Sequence, residues 1–221
     1  MKYDAVIFDV DGTLTDTGKT HVRWCNDQNE KGGYGLPRID VDDPVAVRGV
    51  LGNPMATIIR NYGFPEGEVK NLVTAYELRF GEDARYKAEL FPDAFTLLTK
   101  LNERSSTNHL PMGLVSSNVE PNIRRDLGCL ELFTDWVDKQ RMDNEGLTKA
   151  DAIRSIVELH VSRRPVYIGD TMKDFQASVG AGAAFIGVNY GWEINDAHGE
   201  QHMFPVVGSI GELATELDIH L

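Results

Sequence analysis

The sequence contains little cysteine, no long hydrophobic run and no excess of basic residues. Its two cysteines, Cys25 and Cys129, are far apart and match no metal-binding spacing, so we expect reduced thiols rather than a disulfide framework. No stretch approaches the roughly 20 apolar residues that a transmembrane helix needs, and the first apolar run is too short for a secretory signal and is flanked by acidic residues. These absences predict a soluble, cytoplasmic protein that does not bind membranes.

The charge balance is acidic. The 221 residues include 22 lysines and arginines against 34 aspartates and glutamates, which gives a formal net charge of −12. Proteins that bind nucleic acid present a basic face to its phosphate backbone, so we expect no nucleic-acid partner. A small anionic substrate is compatible with this charge, because a bound divalent cation reverses the field at a single site.

Short apolar runs alternate with helical patterns along most of the chain. The runs that predict strands are Tyr3–Asp9, Met112–Ser116, Thr134–Asp138, Pro165–Gly169, Ala183–Val188 and Met203–Val207. Between them lie apolar residues at helical spacing: Phe95, Leu98 and Leu101; Ile123 and Leu127; and Ala152, Ile153, Ile156 and Val157. Ser209 and Glu212 form a capping-box pattern that predicts the start of the last helix. This alternation predicts an α/β fold with a Rossmann-like parallel sheet and helices on both faces.

One segment, from about Thr17 to Tyr86, shows helical stripes and no buried-strand pattern. A helix is expected to start at Asn53-Pro54, and the apolar residues that follow at helical spacing are Met55, Ile58, Ile59 and Tyr62, then Val69, Leu72, Val73, Tyr76 and Phe80. Polar loops are expected around Lys31–Gly35 and Ser105–Asn108. We therefore predict an α/β core of residues 1–15 and 88–221, with a helical domain inserted at residues 16–87.

Acidic and hydroxyl residues follow three of the predicted strands where each ends. Asp9 and Asp11 end the first strand, Ser116 the second, and Asp170 with Asp174 the fourth. The carboxyl ends of parallel strands meet at one edge of a sheet, so these groups should converge there. Crowded carboxylates repel one another unless a cation joins them, and oxygen ligands without a His or Cys cluster indicate Mg²⁺.

Each motif has a simpler explanation when it is taken alone. Asp9-Val10-Asp11-Gly12 could be an acidic turn, although Gly12 falls at the wrong position for an EF-hand loop. Ser116 and Ser117 could cap a helix. Their joint placement at successive strand ends favours a common site.

Lys149 lies in the first turn of a predicted helix that Thr148 caps. A lysine there opposes the helix dipole, which favours a role as a cation aimed at phosphate and carboxylate over that of a solvated surface residue. Lys139 and Arg141 are alternatives for this role.

Together these residues resemble the haloacid dehalogenase superfamily, in the phosphoglycolate phosphatase and β-phosphoglucomutase group with a helical cap after the first strand. The matching motifs are Asp9-x-Asp11-Gly12-Thr13-Leu14-Thr15-Asp16, Ser116, Lys149 and Gly169-Asp170-x-x-x-Asp174. Relatives commonly have a Lys-Pro pair at the third motif, where this sequence has Lys149-Ala150.

The resemblance implies a Mg²⁺-dependent phosphatase that acts on a small phosphorylated metabolite through an aspartyl-phosphate. Asp9 would be the nucleophile and Asp11 the general acid and base, and the aspartate at this second position favours oxygen esters over halide displacement. The implied metal ligands are Asp9, Asp11 through its backbone carbonyl, Asp170 and Asp174. The implied phosphate-binding residues are Ser116, Ser117, Lys149, Gly12 and Thr13.

The inserted domain is expected to select the substrate. Candidate residues are His21, Arg23, Arg48 and Asn53, each of which could equally be an ordinary solvated helix residue. Phosphoglycolate and sugar phosphates both stay open as substrates. Two other functions also stay open: a sugar phosphomutase of the same family, and a phospho-receiver signalling domain, which the Asp9-x-Asp11 pair and the long insertion disfavour.

Overall fold

The computed structural model describes residues 2–52, 54–79, 83–108 and 110–221. The chain divides into two compact units, one formed by Met1–Thr15 with Glu89–Leu221 and the other by Asp16–Ala88. We call them the sheet unit and the helical unit. Among the described residues, no helix combines the length and the apolar character that crossing a bilayer requires.

In its described residues, the helical unit contains the α-helices α1 (Thr17–Gly32), α2 (Pro44–Val50), α3 (Met55–Tyr62) and α4 (Glu66–Arg79), and a short 3₁₀ turn at Ala84–Tyr86. Its core includes apolar residues of the predicted helical stripes, among them Ile58, Ile59 and Tyr62. Asp43 caps α2 by accepting hydrogen bonds from the amides of Val45 and Ala46. The predicted stripe residue Phe80 lies outside the described residues.

The sheet unit contains six strands in its described part: β1 (Ala5–Phe8), β2 (Met112–Val115), β3 (Asp135–Val137), β4 (Pro165–Gly169), β5 (Ala184–Val188) and β6 (Val206–Val207). All pair in parallel, in the order β3-β2-β1-β4-β5-β6. The helices are α5 (Ala94–Asn108), α6 (Glu120–Leu127), α7 (Lys139–Glu145), α8 (Lys149–Leu159), α9 (Met172–Ala181), α10 (Asp196–His202) and α11 (Ile210–Glu216), with a 3₁₀ turn at Leu130–Leu132. The predicted α/β fold is confirmed.

Hydrophobic clusters cover both faces of the sheet. Successive residues of β1 alternate between them, because side chains along a strand point to opposite faces: Val6 and Phe8 pack into one cluster and Ile7 into the other. The strand order reverses direction beside β1, since β2 and β3 lie on one side of it and β4 to β6 on the other. Ligands of such sheets bind at the carboxyl ends of the strands near this reversal.

Two local predictions in the sheet unit are wrong. The stripe of Phe95, Leu98 and Leu101 predicts that Phe95 is buried, but it is 56% exposed and Leu97 is buried beside Leu98 instead. The loop expected at Ser105–Asn108 is instead the last turn of α5, because polar composition alone does not distinguish a helix from a loop.

Candidate active site

The acidic and hydroxyl candidate residues predicted from the sequence follow the carboxyl ends of β1, β2 and β4. These strands are neighbours in the sheet, so the residues that follow them lie side by side. Asp9, Asp170 and Asp174 are all buried, and one carboxylate oxygen of each lies within 4.8 Å of the others. The structure therefore brings three of the predicted carboxylates into one group.

The loop after β1 has a tight shape that is fixed by its own backbone. The carbonyl of Val10 accepts hydrogen bonds from the amides of Thr13, Leu14 and Thr15, and the amide of Gly12 donates to the carbonyl of Thr15. Gly12 has a φ of +79°, and a Cβ atom there would lie 2.1 Å from Oδ2 of Asp170. Only glycine meets both demands, because other residues avoid this backbone region and have no room for a side chain.

Asp11 has surroundings of its own. Nδ2 of Asn118 lies 3.3 Å and 3.2 Å from its two carboxylate oxygens and donates to them. Asn118 is held in turn, because its backbone amide donates to Oγ of Ser116. Asp11 is half-buried whereas Asp9 is buried, so the two carboxylates of the first motif face different environments.

Lys149 brings a positively charged side chain to this site. Its Nζ donates to Oδ1 of Asp9 at 3.0 Å and to Oδ1 of Asp174 at 2.6 Å, and it lies 5.6 Å from the ring centre of Tyr167. The predicted capping box is present, with Thr148 and Asp151 exchanging hydrogen bonds at the start of α8. The alternatives pair on the exposed surface of α7 instead, Lys139 with Asp143 and Arg141 with Glu145.

Burial shifts the pKa values of Asp9 and Asp170 upward. It raises the pKa of Asp9 to about 7, with further increases from the charges of Asp174 and Asp11 and an opposing effect from Lys149. The pKa of Asp170 is raised well above its usual range by burial and by the charges of Asp174 and Asp9. For Lys149, burial lowers the pKa, but the charges of Asp174 and Asp9 outweigh it and raise the pKa well above its ordinary value. For Asp9 and Asp170 the fold therefore disfavours the ionised carboxylate, which a bound cation would stabilise.

The donor set fits a hard divalent cation. Asp170 has one oxygen, Oδ2, that accepts from the amide of Trp192 at 2.7 Å, while its buried Oδ1 has no hydrogen-bond partner among the described residues. Oδ2 of Asp174 accepts hydrogen bonds from the amide and the hydroxyl of Thr171 at the start of α9. Oδ1 of Asp174 accepts a hydrogen bond from Lys149. A buried carboxylate oxygen without a donor is costly unless a cation satisfies it.

The predicted phosphate-binding residues differ in their exposure. Ser116 is fully buried at the end of β2, whereas Ser117 is exposed. The amides of Gly12 and Thr13 donate within the loop after β1, so these residues shape that loop. Their role in phosphate binding stays a prediction.

The candidates of the helical unit have local contacts. His21 is buried in α1, with its ring edge-on to that of Tyr76 at a centroid distance of 5.7 Å. Nη1 of Arg23 donates to the carbonyl of Arg85 at 3.3 Å. Arg48 is exposed in the last turn of α2, and Asn53 lies outside the described residues.

Sequence reasoning missed three contributors. Asn118 contacts Asp11, the Tyr167 ring lies against Lys149, and the amide of Trp192 binds Asp170. Asn118 follows Ser116 and Ser117 at a strand end, which was a usable signal. Tyr167 reads as an ordinary core residue of β4, and a backbone amide leaves no trace in a sequence.

Residues 6–188 match the family model described as haloacid dehalogenase-like hydrolase. The chain belongs to this family. A solved structure of a haloacid dehalogenase-like family protein from Streptococcus pneumoniae superposes with a TM-score of 0.70 at 20% identity, covering 97% of this chain and 98% of that one. The resemblance inferred from the sequence is thereby confirmed.

Three curated relatives are similar over most of their length. They are a 5'-nucleotidase from Pseudomonas aeruginosa (26% identity; 91% of each chain), a phosphoglycolate phosphatase from Synechococcus elongatus (30%; 85% of this chain and 84% of the relative) and an N-acetylmuramic acid 6-phosphate phosphatase from Pseudomonas putida (27%; 87% and 85%). All three are phosphoric monoester hydrolases by name. The prediction that the chain is an enzyme of this class is confirmed.

Proposed function

We propose that this enzyme is a Mg²⁺-dependent phosphatase that hydrolyses a small phosphomonoester through an aspartyl-phosphate on Asp9. The observation that carries the proposal is the group of three buried carboxylates, Asp9, Asp170 and Asp174, with Lys149 bonded to two of them. A buried nucleophile beside a fixed cation is the arrangement that phosphoryl transfer requires, because positioning and charge neutralisation supply most of its acceleration.

In the first step a carboxylate oxygen of Asp9 attacks phosphorus and the bond from phosphorus to the leaving oxygen breaks. Asp11 gives its proton to that leaving oxygen. In the second step Asp11 takes a proton from water, the water oxygen attacks phosphorus, and the bond to Asp9 breaks. The contact between Asn118 and Asp11 supports a positioned Asp11, because the side-chain amide of Asn118 donates to both of its carboxylate oxygens.

Lys149 and Ser116 would bind the phosphoryl oxygens. Asp9, the backbone carbonyl of Asp11 and Asp170 would hold the cation, with Asp174 binding it directly or through water. A bound Mg²⁺ would neutralise charge on the transferring phosphoryl group. Asp174 accepts a hydrogen bond from Lys149, which supports a second role for Asp174 in orienting the lysine.

The helical unit, residues 16–88, would be the cap that selects the substrate, with His21, Arg23, Arg48 and Asn53 as candidate specificity residues. The names of the relatives support small phosphorylated metabolites of the phosphoglycolate or sugar phosphate class, with nucleoside monophosphates as a further group to test. Those names favour hydrolysis over the phosphomutase and receiver alternatives. The mutase alternative predicts isomerisation of β-glucose 1-phosphate, with catalytic bisphosphate, and no release of phosphate.

The test is release of inorganic phosphate from an aryl phosphate ester and from a panel of phosphoglycolate, sugar phosphates and nucleoside monophosphates. We expect turnover with Mg²⁺ and loss of turnover in excess chelator. Full activity in chelator would contradict the metal assignment. Asp4→Asn is a matched control for Asp9→Asn, because Asp4 lies just before β1 whereas Asp9 follows it.

A further inference from the structure

We propose that the loop Asn189–Asn195, here called the brace loop, positions the carboxylate of Asp170 so that it can bind the divalent metal ion. This role requires glycine at position 191. The loop joins β5 to α10 in the sheet unit. This inference rests on the proposed function, because it concerns the affinity of the same site for its metal.

The brace loop donates three backbone hydrogen bonds to Asp170. The amide of Trp192 donates to the carboxylate oxygen Oδ2 at 2.7 Å, and the amides of Glu193 and Ile194 donate to the backbone carbonyl at 3.2 Å and 2.9 Å. Both the main chain and the side chain of Asp170 are therefore fixed by one short segment. With Oδ2 occupied, Oδ1 is the carboxylate oxygen left for a cation.

Gly191 allows this approach because it has no side chain. A Cβ atom at this position would lie 2.3 Å from the carbonyl oxygen of Gly12, 2.4 Å from Cβ of Asp170 and 2.6 Å from its Oδ2. Two of the three obstructing groups are backbone or near-backbone atoms of the active site, so they cannot swing away as the tip of a long side chain would. Any larger residue must displace Asp170, the loop after β1 or the brace loop itself.

The brace loop also contacts two other parts of the site. The hydroxyl of Tyr190 donates to the carbonyl of Thr13 at 3.1 Å, and its ring packs against Phe91 at a centroid distance of 4.7 Å. The carboxylate of Glu193 accepts from the amide of Met172 at 3.0 Å, at the start of α9. One loop thus ties together the segments that carry Asp11, Asp170 and Asp174.

The experiment compares Gly191→Ala with Gly211→Ala by calorimetric titration with Mg²⁺ and by thermal unfolding without metal. Gly211 lies in α11, where an added Cβ would meet only Oγ of Ser209 at 3.7 Å, so this control should bind Mg²⁺ as the wild type does. We expect Gly191→Ala to bind Mg²⁺ roughly 10- to 100-fold more weakly, as is typical when support for a metal ligand is lost. Raising the Mg²⁺ concentration should restore much of its turnover while KM for the aryl phosphate stays unchanged.

Wild-type Mg²⁺ affinity in a folded Gly191→Ala protein would overturn the inference and leave the proposed function intact. Absence of Mg²⁺ binding by the wild type would overturn the proposed function itself. If Gly191→Ala does not fold, Tyr190→Phe decides, because it removes the bond to Thr13 without adding volume. That variant should bind Mg²⁺ more weakly than the wild type, and unchanged affinity would reject the brace loop as a positioning element.

Discussion

Asp4 and Asp9 lie at opposite ends of β1, and their surroundings shift their carboxyl pKa values in opposite directions. At the amino end, Asp4 accepts hydrogen bonds from the hydroxyl of Ser162 and from the amides of Arg163 and Arg164. Burial alone would raise its pKa, but these bonds outweigh that effect and the pKa is lowered. At the carboxyl end, burial raises the pKa of Asp9 to about 7, because Lys149 only partly offsets burial and two neighbouring aspartates.

The difference separates a structural carboxylate from a functional one. Donors arranged around Asp4 join β1 to the segment that leads into β4, so its charge is satisfied within the fold. Asp9 and Asp174 share Lys149, and the carboxyl group of Asp170 lies close to both. Lys149 alone does not balance these three crowded carboxyl groups. Functional sites commonly keep such unfavourable groups at a cost in stability.

The largest expected effect is that of Asp9→Asn. An amide is a poor nucleophile at phosphorus, so turnover should be lost. The fold should persist, because the substitution removes a charge that burial and two carboxylates disfavour. Phosphate release measures the loss of turnover, and circular dichroism measures whether the fold persists. A wild-type rate in this variant would rule out the covalent mechanism.

Asp11→Asn should lower the turnover of substrates with poor leaving groups by about 10²–10⁴-fold, the usual contribution of a general acid or base. An aryl phosphate needs less protonation of its leaving oxygen, so its first step should be less affected. Comparing the burst and steady-state phases for an aryl and an alkyl phosphate measures this. An equal loss in both phases for both substrates would argue against a proton-transfer role.

Asp170→Asn should act mainly on the metal. The variant loses a charged ligand oxygen, so we expect weaker Mg²⁺ binding and a partial return of turnover as Mg²⁺ is raised. Calorimetric titration and the Mg²⁺ dependence of the rate are the measurements. A lower rate at saturating Mg²⁺ with unchanged metal affinity would point to another role for Asp170.

The smallest effect on turnover is expected for Asp4→Asn, which should instead lower the free energy of unfolding by about 1–3 kcal/mol through loss of bonds to a charged acceptor. Because the folded pKa of Asp4 is lowered, its contribution is present above the unfolded pKa of about 3.9 and is lost as the pH falls through the folded value. The stability difference between wild type and variant should therefore be largest near neutral pH and shrink in acid. Denaturant unfolding across this range tests it, and a difference that grows in acid would contradict the account.

The sequence predicts the location of a site residue correctly where the order of strands along the chain determines it. Strand patterns gave the parallel sheet, and a parallel sheet places the residues after β1, β2 and β4 at one edge. The group formed by Asp9, Asp170 and Asp174 follows from that rule without further information.

Sequence reasoning failed where a position depends on facing side chains or on backbone amides. Phe95 and Leu97 both fit a helical stripe, and only packing against the sheet decides that Leu97 is buried. The bond from the amide of Trp192 to Asp170 is independent of the side chain that carries it. Asn118 lies just after β2, but the sequence indicates no role for it, because its contact with Asp11 joins two separate loops.

The most direct test of the central claim is to trap the phosphorylated enzyme. Asp11→Asn is mixed with an aryl phosphate and Mg²⁺, quenched in acid during the burst of aryl alcohol, and digested for mass spectrometry. We predict a phosphoryl group on the peptide that contains Asp9, located on that residue, and none with the double variant that also carries Asp9→Asn. A burst of aryl alcohol with no phosphoryl group on Asp9, or with the group on another residue, would contradict the mechanism.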